Sequence, residues 1–258
     1  MESNIENVTA YILVNKLRDI TNTSLENYAV TLRGCKVALS YNGLDAQEAA
    51  FLRDFSATSG MEFFWNACNS FFEHFAKIND CCNTPYFIAL HDDDYFLESL
   101  APKLQRATLD AQSHYALLDA VSVRGRLKWP VWAFDKPRLV KAEELAFSYL
   151  LGRHAVAFPA VIYNVNLLNR INFLDQELGK YSDVKLMMEL ASQKLTILPS
   201  AIFAYRIHCD QDSQNEDILA KKKCRRYLFQ RLFSVGLRRC LKASISGLIL
   251  SLRVFKNV

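Results

Sequence analysis

The stretch Tyr86-Phe87-Ile88-Ala89-Leu90-His91-Asp92-Asp93-Asp94 decides the fold class of this 258-residue chain. Its apolar part follows Asn83-Thr84-Pro85, and an apolar run bounded by turn residues predicts a buried strand. Open α/β sheets bind their ligands at the C-terminal ends of such strands. We therefore expect the three aspartates to lie at a binding site.

Three adjacent carboxylates repel one another unless a cation lies among them. Oxygen ligands suit Mg²⁺ or Mn²⁺, and such ions commonly bridge carboxylates to phosphate groups. The run Asp92-Asp93-Asp94 therefore predicts a divalent-metal site that takes a diphosphate. In the alternative interpretation, the aspartates cap a helix that begins at Tyr95.

Strands and helices alternate along the first half of the chain. Short apolar runs predict strands, and apolar residues at helical spacing predict the helices between them. This alternation is typical of an α/β fold whose sheet is mostly parallel and flanked by helices. The predicted strands cover residues 8–14, 36–40, 61–65, 86–91 and 115–123, and the predicted helices cover 17–32, 46–55 and 71–78.

The next part of the chain, residues 124–172, is rich in aromatic residues and punctuated by prolines. One amphipathic helix is predicted in it, around residues 142–151. The segment either packs over one edge of the sheet or forms the wall that receives a second substrate, and its sequence leaves both open. A helix that begins at Ser182 or Asp183 follows, and then a strand over 195–198.

A polar segment near the C-terminal end carries the third informative motif. It runs Tyr205-Arg206-Ile207-His208 and is followed by Gln211 and Ser213. Together with the aspartate run and the helix that opens with Asp183, it resembles a family-2 glycosyltransferase of the GT-A fold. The aspartate run is similar to the D-x-D element of that family, and the polar segment to its C-terminal signature. Members of the bacterial kind build surface polysaccharides such as the O-antigen of lipopolysaccharide.

The resemblance covers roughly residues 8–215 and implies a division of the chain. A GT-A domain would occupy residues 1–215, and residues 216–258 would form a basic, amphipathic helical tail. Within the domain, residues 1–123 would bind a nucleotide-diphospho-sugar, and residues 124–215 would bind the acceptor.

The resemblance also implies roles for the aspartates and for the polar segment. Asp92 and Asp94 would hold Mg²⁺ or Mn²⁺, and His208 would approach the ion from the opposite side. Asp92 and Asp93 would lie near the donor, with Asp93 as the competing metal ligand. His91 also fits the first D-x-D position, so the register stays open. The remaining donor contacts would come from Arg206, Gln211 and Ser213.

Inverting members of the family need a general base that deprotonates the acceptor hydroxyl. They usually carry a Glu-Asp pair at the start of the relevant helix, whereas this chain has Ser182-Asp183. The resemblance therefore assigns the base to Asp183. A carboxylate with an ordinary pKa of about 3.9 is a weak base, so burial that raised its pKa would help. The alternative is an ordinary helix N-cap.

The N-terminal motifs depart from the family. The family has Pro-x-Tyr-Asn after its first strand, and this chain has Val14-Asn15-Lys16 without the proline. After the second strand it has Ser40-Tyr41-Asn42-Gly43 where the family has an acidic turn. We expect Asn15 and Asn42 to contact the nucleotide, and the departures leave the identity of the base open.

The net charge of +4 conceals an acidic body and a basic end. Of the 31 basic residues, 11 lie after residue 220, where there is no acidic residue. That end carries an apolar stripe at helical spacing, Leu237, Leu241, Ile245, Leu248, Leu252 and Phe255. We predict that residues 221–258 bind an anionic membrane surface, with packing on the domain as the alternative. No nucleic-acid-binding motif accompanies the basic residues, so we expect no nucleic-acid partner.

The seven cysteines contain no C-x-x-C pair, which is typical of a reducing compartment. The acidic N-terminus lacks the apolar core of a secretory signal, and no apolar run is long enough to span a membrane. We therefore expect a cytoplasmic enzyme at the inner face of the membrane. The predicted function is an inverting, metal-dependent glycosyltransferase that uses a nucleotide-diphospho-sugar and a lipid-linked glycan acceptor.

Two other functions compete with this prediction. A nucleotidyltransferase could use the same aspartates, but it would need a glycine-rich phosphate loop or a basic signature near the N-terminus, and neither is present. A binding or assembly protein with a degenerate GT-A fold is favoured by the missing glutamate and the altered N-terminal motifs. The intact residues Asp92-Asp93-Asp94, Asp183 and His208 favour the enzyme.

Overall fold

A computed structural model describes residues 5–68, 70–123, 126–128, 136–151, 156–171, 176–208 and 217–234. The strands are β1 (Val8–Val14), β2 (Lys36–Tyr41), β3 (Glu62–Trp65), β4 (Tyr86–His91), β5 (Tyr95–Phe96), β6 (His114–Val123), β7 (Arg126–Lys128), β8 (Arg138–Val140), β9 (Val161–Asn164) and β10 (Leu195–Ile207). The helices are α1 (Asp19–Thr31), α2 (Ala46–Ser59), α3 (Phe71–Cys81), α4 (Ala101–Arg106), α5 (Ala142–Leu150), α6 (Val165–Leu168), α7 (Ser182–Gln193) and α8 (Ile218–Ser234). Two 3₁₀ turns cover Phe158–Ala160 and Gln176–Tyr181.

One mixed sheet contains all ten of these strands. Its order is β3-β2-β1-β4-β9-β6-β10-β5, with β7 added to β6 and β8 added to β10. The first four strands of this order pair in parallel, and β6 is parallel to β10. β9 is antiparallel to both of its neighbours and joins the two parallel parts. The carboxyl ends of β1, β2 and β4 therefore lie at the same edge.

The central strands are buried on both faces, which explains their continuous apolar sequences. Every residue of β1 is buried, and its side chains alternate between two core clusters. Tyr11 and Leu13 pack on one face, and Ile12 packs on the other. β4 follows the same pattern, with Phe87 on one side and Ile88 on the other.

The strands and helices expected in the first half of the chain are present, with boundaries shifted by a few residues. The structure corrects the alternative in which the aspartates open a helix at Tyr95. The chain instead turns and forms β5, because the Asn27 side chain donates to the carbonyl of Phe96 (3.0 Å) and accepts from its N–H (2.8 Å). The strand expected over 195–198 is also longer and continues to Ile207.

The basic helix α8 packs on the body of the protein. Its buried residues are spaced four apart, Ala220, Cys224, Leu228 and Leu232, and the last three belong to the main core. Arg231 forms an ion pair with Glu189 of α7. Within the described residues, the helices are too short or too polar to cross a bilayer. The apolar stripe expected from Leu237 to Phe255 lies outside the described residues.

Candidate active site at the carboxyl edge of the sheet

The aspartate run lies where β4 ends, and β5 determines what faces it. β5 pairs with β10 in antiparallel register, with Tyr95 opposite Ala204. This pairing brings the end of β10 to the aspartates. The backbone N–H of Arg206 donates to Asp94 Oδ1 (2.8 Å), and His208 Nε2 shares a hydrogen bond with Asp93 Oδ2 (2.9 Å). Two motifs more than a hundred residues apart therefore form one site.

Asp92 points away from that contact, toward the start of α1. Its two oxygens accept hydrogen bonds from Arg18 Nη2 (3.0 Å) and Thr21 Oγ1 (2.9 Å). Burial raises the pKa of Asp92 to about 6, and the Arg18 guanidinium opposes this rise. Both carboxylate oxygens of Asp92 are thus occupied by protein donors.

The remaining carboxylates form a compact group with His91. One ligand atom from each of His91, Asp93 and Asp94 lies within 4.8 Å of the other two. Asp93 and Asp94 are 7% and 0% exposed. Asp93 Oδ1 and Asp94 Oδ2 find no hydrogen-bond donor in the described part of the chain. Burial and the neighbouring charge of Asp93 raise the pKa of Asp94.

Unpartnered carboxylate oxygens in buried side chains are costly unless a cation compensates them. Divalent ions accept oxygen and imidazole ligands, so these three residues fit a metal site. The structure groups Asp94 with His91 and Asp93, and His208 contacts this group through Asp93. The metal role of Asp92, whose oxygens face Arg18 and Thr21, stays a prediction.

The ring of His91 is held between two aromatic side chains. It stacks on Phe158 with ring centroids 5.6 Å apart and meets the edge of Phe71 at 5.5 Å. The phenol of Tyr28 donates to the His91 carbonyl (2.9 Å). Burial lowers the pKa of His91, which favours the neutral imidazole, the form that binds metals.

Arg206 is positioned by its neighbour on β5. Its guanidinium lies 4.8 Å from the ring centroid of Tyr95, within the range of a cation–π contact. Its backbone already bonds Asp94. The side chain therefore brings a positive charge to the edge of the site where a phosphate is expected.

Asn15 and Asn42 lie at the same edge, at the ends of β1 and β2. Asn15 is exposed, whereas Asn42 is buried and donates through its side-chain amide to the carbonyl of Cys68 (3.1 Å). The backbone of Asn15 lies so close to Gly43 that a Cβ there would be 2.4 Å from the Asn15 carbonyl oxygen. Glycine is therefore required at position 43, and the contact fixes the two turns against each other.

Asp183 is the second residue of α7, where its Oδ1 accepts from the N–H of Val184 (2.7 Å). The chain reaches this position through Gly179, which has a φ of +48° that suits glycine. Burial raises the pKa of Asp183 to about 6. Its charge also raises the pKa of Tyr163, which is already raised by burial.

Tyr163 connects the neighbourhood of Asp183 to the aspartate group. Its phenol donates to the carbonyl of Phe158 (2.9 Å), and the ring of Phe158 stacks on His91. The roles of Asp183 and of the other expected site residues stay predictions. Gln211 and Ser213 lie outside the described residues.

Arg18 and Thr21, which bond Asp92, were not predicted from the sequence. Arg18 is the N-cap of the first helix and Thr21 lies in its first turn, and both side chains reach Asp92. That helix begins directly after β1, at the edge where ligands are expected. This position was the available signal, but nothing in the local sequence pairs these residues with Asp92, 74 positions away from Arg18.

Comparisons with known proteins identify structures that share the fold of this chain, but no family or close relative. No protein-family model and no curated protein matches the chain. Among solved structures, S. aureus TarS 1–349 in complex with UDP-GlcNAc is similar over 94% of this chain and 71% of that chain, with a TM-score of 0.68 and 12% identity. The structure of S. aureus TarS matches over 90% of this chain and 40% of that one (TM-score 0.62, 12% identity).

A third structure, TarS 1–349 in complex with UDP, covers 88% of this chain and 72% of that chain, with a TM-score of 0.58 and 13% identity. The chain shares the fold of TarS. This likeness confirms the predicted fold class, a GT-A-type mixed sheet flanked by helices.

Proposed function

We propose that the protein is an inverting, metal-dependent glycosyltransferase that transfers a sugar from a nucleotide-diphospho-sugar to a glycan acceptor. The contact between His208 and Asp93 (2.9 Å) carries the proposal, because it joins the aspartate run to the Tyr-Arg-Ile-His segment at one site. The resemblance in sequence required these two motifs to meet. Buried carboxylate oxygens without a partner destabilise a fold, so their presence beside these motifs favours a functional site over a degenerate one.

The donor side of the proposal is supported by the TarS structures, which were determined with UDP-GlcNAc and with UDP. A uridine diphospho-sugar is therefore the first donor to test. Arg206 would contact the diphosphate by charge-assisted hydrogen bonds. Asn15 and Asn42 lie at the carboxyl ends of β1 and β2, where this fold class places its ligands, and would lie beside the nucleoside.

The chemistry divides between the two ends of the site. A divalent ion held by the aspartate group would neutralise the charge that develops on the leaving diphosphate. Asp183 would accept the proton of the acceptor hydroxyl as the hydroxyl oxygen attacks the anomeric carbon. Its pKa of about 6 suits this role, since the carboxylate is ionised at neutral pH and is a stronger base than an ordinary aspartate.

The acceptor and the membrane belong to the same proposal. The outer face of α8, formed by Lys222, Arg226, Phe229 and Phe233, lies roughly opposite the buried stripe of that helix. Phe229 and Phe233 are 50% and 73% exposed and stack on each other. Exposed aromatic rings among basic residues suit the interface of an anionic leaflet. A glycan carried on a lipid at the cytoplasmic face of a bacterial membrane would then reach the site.

Equilibrium binding of UDP-GlcNAc and UDP tests the donor site, with Mn²⁺ and with a chelator. We expect metal-dependent binding to the wild type and at least a tenfold loss in Asp94→Ala. Asp54→Ala, on the exposed side of α2, is the matched control and should bind as the wild type does. A panel of other nucleotide-sugars extends the test to other bases. If no nucleotide binds with or without metal, the transferase proposal fails and the degenerate-fold alternative stands.

A further inference from the structure

The proposed metal site of this chain contains a nitrogen donor at a position where a carboxylate would give an all-oxygen site. His91 directly precedes the aspartate run and faces it, with Nδ1 3.9 Å from Asp94 Oδ2. We propose that His91 is a metal ligand and that it makes the site select a first-row transition ion, Mn²⁺ or Co²⁺, over Mg²⁺. This inference rests on the proposed function and specifies its cofactor.

The first support is the set of unsatisfied atoms. Asp94 is fully buried, yet its Oδ2 finds no hydrogen-bond donor in the described part of the chain, and the same holds for Asp93 Oδ1. Both lone oxygens belong to the group that His91 completes. An acidic cluster alone would attract any cation. These buried oxygens instead identify a defined place in which an ion would replace the missing donors.

The second support is the size of the group. Metal bonds of about 2.1 Å to nitrogen and oxygen place opposite ligands about 4.2 Å apart. The 3.9 Å between His91 Nδ1 and Asp94 Oδ2 is within that limit, and the three ligand atoms lie within 4.8 Å of one another. Shifts of a few tenths of an ångström would bring all three atoms into contact with one ion.

The third support is the fixed orientation of the imidazole. Phe158 stacks on one face of the His91 ring, and Phe71 meets it edge-on. A ring held in this way loses little further freedom when it binds a metal, which strengthens binding. In the alternative, the His91 ring turns to solvent and only the aspartates bind the ion, which would break both ring contacts.

Ligand chemistry then sets the preference. Mg²⁺ strongly favours oxygen ligands and retains several waters, whereas imidazole suits the later first-row ions. Affinity for nitrogen-containing sites rises from Mn²⁺ to Co²⁺. His208, which bonds Asp93, offers a second imidazole next to the group. A site with this donor set should therefore discriminate against Mg²⁺, while an all-carboxylate site would not.

Competition between Co²⁺ and Mg²⁺ tests the inference without measuring turnover. Co²⁺ binding is followed by its visible absorption, with and without saturating UDP, in the wild type, His91→Asp and His91→Phe. We expect the Co²⁺/Mg²⁺ affinity ratio to fall at least tenfold in His91→Asp, which restores an all-oxygen set. His91→Phe keeps the aromatic packing and removes the donor, so it should fold normally and bind Co²⁺ at least tenfold more weakly.

The outcomes separate the inference from the function on which it rests. An unchanged ratio in His91→Asp, in a protein that still binds UDP and metal, would overturn the role of His91 and leave the transferase proposal intact. Wild-type protein that binds UDP but neither metal would overturn the metal site. Wild-type protein that binds neither UDP nor metal would overturn both. Thermal unfolding in chelator confirms that each variant is folded before it is titrated.

Discussion

Replacing Asp94 with asparagine should stabilise the metal-free protein and abolish the proposed metal site. Asp94 is fully buried, and only one of its oxygens has a donor, the backbone N–H of Arg206. Asparagine keeps that acceptor. Its amide N–H₂ replaces Oδ2 and could donate to Asp93 Oδ1, which otherwise lacks a partner in the described residues. The substitution therefore removes a repulsion and adds a hydrogen bond.

The size of the effect follows from the separation of the charges. The ligand atoms of His91, Asp93 and Asp94 lie within 4.8 Å of one another. Two like unit charges at that distance repel by about 3.5 kcal/mol at an effective dielectric constant of about 20. Part of this repulsion is already relieved, because burial and the charge of Asp93 raise the pKa of Asp94, which favours its neutral form, and because His208 pairs with Asp93. We expect a net gain of about 1–2 kcal/mol in the free energy of unfolding, and a rise of about 2–8 °C in Tm.

Thermal and urea unfolding in chelator measure the gain, and the same experiments with Mn²⁺ and UDP measure the loss of the site. The wild type should be stabilised by the ion and the variant should not. Asp54→Asn, an exposed aspartate of α2, is the control and should change stability by less than about 0.5 kcal/mol. A variant that is less stable than the wild type in chelator would refute the reasoning, since it would mean that the Asp94 charge is already compensated by the protein.

Three further predictions follow from single contacts. Since the pKa of Asp183 is about 6, the transfer rate measured with saturating donor should fall as the pH drops below about 6, and Asp183→Asn should lose transfer while it still binds UDP. His114 is buried and accepts a hydrogen bond from the N–H of Asn164 at Nδ1 (3.1 Å). Burial lowers its pKa to about 4. As the pH falls, this imidazole is therefore protonated in the unfolded state before it is protonated in the folded state. Urea unfolding should show up to about 3 kcal/mol of stability lost between pH 6.5 and 4, and a smaller loss in His114→Asn. Gly43→Ala should cost about 1–3 kcal/mol by the same measurement, because its Cβ would lie 2.3 Å from the Tyr41 hydroxyl and 2.4 Å from a backbone oxygen.

The central sheet could be predicted from the sequence because the burial of a strand determines its own local pattern of apolar residues. β1 and β4 are buried on both faces, so each is a continuous apolar run that ends in polar residues. The position of the aspartates at the carboxyl end of β4 follows from the same pattern. The distant motif at Arg206 and His208 was connected to them only through the resemblance to a family.

The orientation of each aspartate could not be predicted, because adjacent residues after a strand point in different directions. Asp92 turns to α1, and Asp94 turns to the end of β10. The partner of Asp94 follows from the pairing of β10 with β5, a strand of two residues that carries almost no periodic signal. The local sequence also allowed a helix there as the alternative, and a long-range contact with Asn27 decides against it.

The antiparallel pairing of β5 with β10 also has a consequence for how the candidate site is assembled. His208 and Asp93 are 115 positions apart, so the loop between them must close before the two side chains meet, and closure of long loops slows folding. The aspartates therefore emerge during synthesis well before the segment that completes their site. A nascent chain that has released only the first parallel strands carries an acidic edge without its histidine partner, and the candidate site is complete only when β10 joins the sheet.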